Sequence, residues 1–218
     1  MENFKKTILS GRLCLSIGTK HSGKSYFMLQ YLRYAMKHNL YQKYILVLPS
    51  FEFEENDSYS FLDAKKKHVY IFTEYNPIIL SHHMKSQMRH SLNTLIIIDD
   101  ASGEAIFNID EHLQKFITSI RHYNTNLWLI VHSAKRILSP FIRQQVDILF
   151  LYKLSDKDLL ETIFREFLSL HPLYHKRGDF NMFCDRYIKL QHLYKFPCLY
   201  INTRDSTMCP EVCDWKLN

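Results

Sequence analysis

The chain has 218 residues, of which 46% are hydrophobic and 23% charged, a composition that fits one soluble domain with a substantial core. No run approaches the roughly 18 uninterrupted apolar residues of a spanning helix, and the opening MENFKKTILSGRLCLS breaks its apolar stretches with Lys5, Lys6 and Arg12, unlike a secretory leader. Lys and Arg number 28 against 22 Asp and Glu, and the net charge of +6 suits a polyanionic partner.

In chain order, residues 13–17 (LCLSI) predict a strand that stops at Gly18. Residues 25–37 predict a helix with Phe27, Met28, Tyr31, Leu32 and Ala35 on its apolar face. YILVL (44–48) predicts a second buried strand, stopped by Pro49, and FEFEENDSYS after it a polar loop. VYIF (69–72) is a short strand, 78–89 a helix, and TLIII (94–98) a strand apolar enough to be covered on both faces. A helix over 111–120 leads to two more strands, LWLIV (127–131) and VDILFLY (146–152). SDKD, starting at Ser155, resembles a capping box ahead of Leu159, Leu160, Ile163, Phe164, Phe167 and Leu168. A helix over 180–189 and a strand CLYIN (198–202) follow. Alternating strands and helices predict a mainly parallel sheet with helices on both faces. Most of the 14 Tyr and 15 Phe fall in these apolar stretches and are assigned to the core. The 5 cysteines are odd in number and scattered, which predicts reduced thiols; Cys209 and Cys213 lack the further ligands a metal site needs.

The chain contains 5 glycines, and two of them lie in GTKHSGKS, residues 18–25, a match to G-x-x-x-x-G-K-[ST]. Gly18 and Gly23 permit the backbone angles of a phosphate cradle formed by Thr19, Lys20, His21 and Ser22. Lys24 supplies a cation to the β and γ phosphates of ATP, and the Ser25 hydroxyl is a hard ligand for Mg²⁺. Tyr26 follows on the first turn of a helix whose positive end faces the phosphates. TLIIIDD (94–100) then delivers carboxylates from the end of a buried strand. Asp99 is the second metal ligand, and Asp100 is placed to polarise the attacking water. Arg121, in RHYN, precedes LWLIV, and His132 and Ser133 follow that strand, where either can sense the γ-phosphate. Arg143, in SPFIRQQVD, is a second arginine candidate.

Together GTKHSGKS, LIIIDD, RHYN, LWLIV and SPFIRQQVD resemble the viral genome-packaging ATPases of the FtsK–HerA superfamily. Poxviruses, other large DNA viruses, virophages and some icosahedral archaeal viruses encode such proteins. The resemblance covers about residues 10–152. It implies a P-loop NTPase fold of the RecA/FtsK–HerA-like kind, an α/β three-layer sandwich forming one domain over 1–218, with a helical and strand extension over 153–218. It further implies a Mg²⁺-dependent ATPase motor that moves double-stranded DNA into a preformed capsid. The motor is expected to be a homo-oligomeric ring of five or six subunits that docks a capsid vertex protein, has no membrane span, and works at the assembly site in the host cytoplasm or on the virion. Lys24, Ser25, Asp99 and Asp100 map to the family's phosphate, metal and catalytic positions, and Arg121 to its trans-acting arginine. The family's sensor glutamine has no counterpart; HSA stands there instead. A nucleoside or nucleotide kinase, with LYHKRGD (173–179) as its lid, and a nucleotide-dependent assembly scaffold are the alternatives. Lys65, Lys66, Lys67, Lys85, Arg89, Lys135 and Arg136 are candidates for a DNA-facing surface, against solvated faces of no function.

Overall fold

LCLSI is β1 (Leu13–Ile17), and the helix beyond the glycine loop is α1 (Lys24–Lys37). A computed structural model describes residues 11–49, 61–62, 68–99, 111–132, 139–169, 179–193, 196–203 and 208–209. The order continues β2 (Lys43–Val47), β3 (Val69–Phe72), α2 (Pro77–His90), β4 (Thr94–Ile98), α3 (Glu111–Ser119) and β5 (Thr125–Val131). Then come α4 (Pro140–Gln144), β6 (Ile148–Leu151), α5 (Lys157–Ile163), α6 (Asp179–Leu193), β7 (Leu199–Asn202) and β8 (Met208–Cys209).

The eight strands form one sheet in the order β3-β2-β4-β5-β1-β6-β7-β8. All contacts from β3 to β6 are parallel, as the alternation of elements predicts. The tail departs from that pattern: β7 runs antiparallel to β6, and β8 antiparallel to β7. Strand composition carries no direction, so nothing in CLYIN announced the reversal.

Period-two alternation splits the core into two layers. Leu13, Leu15, Ile17, Ile96, Ile98, Leu127, Leu129, Leu149 and Leu151 face the layer holding α2, α3, α5 and α6. Cys14, Leu46, Leu95, Ile97, Trp128, Ile130, Ile148 and Phe150 face α1, whose Phe27, Met28, Tyr31, Leu32 and Ala35 are all buried. This is the three-layer sandwich expected from the sequence. Trp128, fully buried, donates its indole N–H to Ser16 Oγ at 2.9 Å.

Three local features differ from the expectation. Asp156, not Ser155, caps α5, because its carboxylate accepts from the amides of Asp158 at 2.9 Å and Leu159 at 3.1 Å. The helix then widens into a π turn over Phe164–Leu168. The short α4 was hidden by its length, although SPFIR carries the Ser cap and first-turn Pro of a helix start. Cys14, Cys184 and Cys198 form no disulfide among the described residues. Among the described residues no helix is long and apolar enough to cross a membrane.

Candidate nucleotide-binding site

Gly18 ends β1 at the carboxyl edge of the parallel strands, and the loop folds there before α1 begins. Backbone hydrogen bonds fix it from two sides: the Gly18 amide donates to Val131 O at 3.4 Å, and the Thr19 amide to Lys153 O at 2.8 Å. A Cβ on Gly18 would stand 2.6 Å from Tyr152 Cβ and 2.8 Å from Ser22 Oγ, so only glycine fits. Gly23 has φ 95, left-handed, and caps α1 without a side-chain bond. His21, with φ 59, is left-handed too.

The tip of Lys24 organises the loop. Its ammonium donates to Gly18 O and Thr19 O, each at 2.8 Å, and lies 3.0 Å from His132 Nδ1. An ammonium has only donors, so this contact requires Nδ1 bare and the imidazole proton on Nε2. Lys24 is buried, whereas Lys20, His21, Ser25 and Tyr26 are exposed. Ser22 Oγ is buried and has no hydrogen-bond partner. A buried, unsatisfied hydroxyl inside a glycine loop fits a phosphate oxygen as acceptor.

Asp99 leaves β4 at the same sheet edge, buried, with its amide donating to Val47 O at 2.9 Å. Between β4 and β1 lies β5. Asp99 and the loop are therefore two strand spacings apart, about 9.6 Å, and the exit of β5 delivers His132 between them. Ser25 and Asp99 are both hard oxygen donors of the kind Mg²⁺ takes alongside phosphate oxygens and water. Among the described residues no cluster of three or more His, Cys, Asp or Glu forms a protein-only metal cage. Asp100 and Ser133 lie outside the described residues, as do Lys65, Lys66, Lys67, Lys135, Arg136, Cys213, FEFEENDSYS and most of LYHKRGD.

Arg121 stands at the opposite edge. It sits in the 3₁₀ turn Ile120–Tyr123 that enters β5, with its backbone against Gly11, before β1. Its side chain is 69% exposed and lies 3.8 Å from Asp147 Oδ1. Asp147 itself is buried and accepts from the Leu13 amide at 2.8 Å. A full strand thus separates Arg121 from its own chain's Lys24. Arg143 is engaged differently: its guanidinium makes a two-pronged pair with Glu166, at 2.8 and 2.9 Å.

The tail adds a residue that no sequence pattern singled out. Because β7 is antiparallel, its lead-in reaches the edge where β6 ends, and Phe196 lies against the glycine loop. A Cβ on Gly23 would stand 2.8 Å from Phe196 Cβ and Cγ. The Phe196 ring meets Tyr26 at 5.7 Å between centroids. Another tail residue, Tyr187 of α6, accepts from the Leu154 amide at 2.7 Å and donates to Tyr152 O at 2.6 Å, fixing the segment behind the loop. One aromatic before a proline, and one tyrosine on a helix, carry no periodicity or motif that distinguishes them.

A parallel sheet whose first strand ends in GTKHSGKS against the start of a helix, flanked by a strand-end aspartate, defines a P-loop NTPase fold. Solved structures agree. The DNA-packaging ATPase from Sulfolobus Turreted Icosahedral Virus superposes with a TM-score of 0.67 at 14% identity, covering 92% of this chain and 97% of that one. The genome packaging NTPase from Sulfolobus turreted icosahedral virus 2 does so with AMP (TM-score 0.65, 17% identity, 92% of this chain and 96% of that). Its ATP-gammaS complex gives a TM-score of 0.62 at 16% identity, over 92% of this chain and 95% of that. At these identities the likeness establishes the fold. No family model matches the sequence, and no curated protein matches it.

Proposed function

We propose that this protein is a Mg²⁺-dependent ATPase that drives double-stranded DNA into a viral capsid as a homo-oligomeric ring. The observation that carries the reading is the placement of Lys24, held by Gly18 O, Thr19 O and His132, on the sheet edge that also presents buried Asp99. The fold shared with a DNA-packaging ATPase over nearly the whole chain supports the packaging role, and the net charge of +6 suits a DNA partner.

Each side chain then has a task. Lys24 exchanges its two loop carbonyls for the β and γ phosphates of ATP. Amides of Thr19 through Gly23, with the Ser22 hydroxyl, surround the phosphates. Ser25 and Asp99 hold Mg²⁺, which when bound screens the phosphate charge and draws electrons from the bond that breaks. His132, with its proton on Nε2, keeps Lys24 in place through Nδ1 and senses the γ-phosphate, the role a glutamine has in the family; Ser133 is the other candidate. Asp100 accepts a proton from the attacking water. Arg121, exposed and a strand's length from its own Lys24, serves a neighbouring subunit by offsetting transition-state charge. The Glu166 pair makes Arg143 the weaker candidate for that task. Lys85 and Arg89, exposed on α2, with Lys65–Lys67, Lys135 and Arg136, supply positive charge toward DNA. The whole chain works as one ATPase domain at the virus assembly site, against a capsid vertex protein.

ATP hydrolysis measured with and without duplex DNA tests this. Turnover that needs Mg²⁺ and rises with DNA supports the motor. Phosphoryl transfer to a nucleoside without hydrolysis would make it a kinase, and nucleotide binding with neither reaction a scaffold.

A further inference from the structure

We propose that Tyr26 and Phe196 form the base-binding face of this site, where the base of a nucleoside triphosphate stacks; the proposal rests on the nucleotide reading above. Both aromatics are open to solvent, Tyr26 at 52% and Phe196 at 38%, among the largest exposed apolar side chains of the described residues. Tyr26 projects from the first turn of α1, next to Ser25, and Phe196 arrives from the antiparallel tail. Their rings are 5.7 Å apart and tilted by 35°, so their faces do not close fully on each other. The pair begins where the phosphate cradle ends: Phe196 packs on the bare Cα of Gly23, the residue immediately before Lys24. On the cradle side, the buried Ser22 hydroxyl without a partner independently marks a ligand. A ligand with its anion in that loop and a flat apolar group at the mouth matches both halves, and a base offers such a face whatever its edge carries.

Gly23 therefore meets two demands. Its left-handed φ turns the chain into α1, and its missing Cβ admits Phe196. The extension beyond β6, which already backs the glycine loop through Lys153 O, thus also supplies part of the base face.

The test compares ATP with inorganic triphosphate, which has phosphates but no base. Affinities for both are measured with Mg²⁺ by calorimetry for the unaltered protein, Tyr26→Ala, Phe196→Leu and Phe196→Trp, with thermal melts as the folding control. Leucine keeps apolar packing on Gly23 and removes the π face. The expected result is a loss of ATP affinity of about tenfold in Tyr26→Ala and Phe196→Leu, unchanged triphosphate affinity, and ATP affinity retained in Phe196→Trp. Equal losses for ATP and triphosphate would make Phe196 a buttress of the loop and overturn the proposal. Unaltered protein that binds triphosphate as tightly as ATP would overturn it too, while leaving the phosphate site intact. Failure of the unaltered protein to bind either would overturn the nucleotide reading itself.

Discussion

The role proposed for His132 is the one most directly open to measurement. Its Nδ1 lies 3.0 Å from the Lys24 ammonium, which places the imidazole proton on Nε2. A group that acts on the γ-phosphate during bond breaking should affect the rate more than binding. Replacing His132 with alanine is expected to lower kcat about a hundredfold with little change in ATP affinity. Replacing it with glutamine, which also offers an acceptor and a donor, should retain most of the rate. Steady-state kinetics beside direct binding separates the outcomes: if affinity falls in step with kcat, His132 only props Lys24. The sequence offered His132 and Ser133 on equal terms, because a strand end shows which residues leave it but not what each one meets; His132 meets Lys24, and Ser133 lies outside the described residues. The contact with Lys24 depends on the β5–β1 register, Ile17 opposite Val131.

At the scale of elements, two supports invite measurement. Tyr187 ties α6 to the segment that backs Gly18 and Thr19. Tyr187→Phe removes both bonds at a cost of about 1–2 kcal/mol, visible as a lower unfolding midpoint, and should weaken ATP binding by loosening the loop's rear wall. The other support is a buried polar cluster under α2. Thr125 Oγ1 donates to Tyr123 O at 2.8 Å and accepts from His83 Nε2 at 2.9 Å, while Gln87 donates to Thr94 Oγ1 and Tyr123 O. These bonds hold the turn that carries Arg121. Burial, helped by the Lys43 charge, lowers the pKa of His83 to about 3 from 6.5. The unfolded chain therefore takes up this proton as pH falls below about 6.5, while the folded chain resists until about 3, so stability is lost over that window. Between pH 7 and pH 5 the loss is about 2 kcal/mol from this group. Urea unfolding at both pH values should show it, and His83→Gln should remove that part of the slope. Strands and long helices were legible because burial on both sheet faces writes itself as runs such as TLIII and because α1 repeats its apolar residues at helical spacing. What stayed hidden depended on direction and neighbours: the antiparallel β7, the cluster under α2, and Phe196, which gains its meaning only where the tail crosses Gly23.

For the whole molecule, the decisive fact is that Arg121 and Lys24 lie at opposite edges of one sheet. No bending of a side chain brings them together within a subunit, so the role proposed for Arg121 requires that it serve another copy. Arg121→Ala is expected to bind ATP normally and to lose about a thousandfold in turnover. Mixed with Lys24→Ala, it should recover part of the activity, since some interfaces then pair an intact loop with an intact arginine. Activity measured across mixing ratios decides the point, and no recovery at any ratio would count against a role in trans.

The seven residues of β5 have a further consequence if subunits assemble in the proposed ring. At one end the strand hands over to His132, beside Lys24; at the other it begins from the turn that carries Arg121. Buried at every position and hydrogen-bonded on both sides, β5 is a stiff strut about 23 Å long, flanked by β1 and β4. In the proposed ring, β5 would thus be a single rigid link between the residue beside Lys24 and the arginine at the subunit boundary.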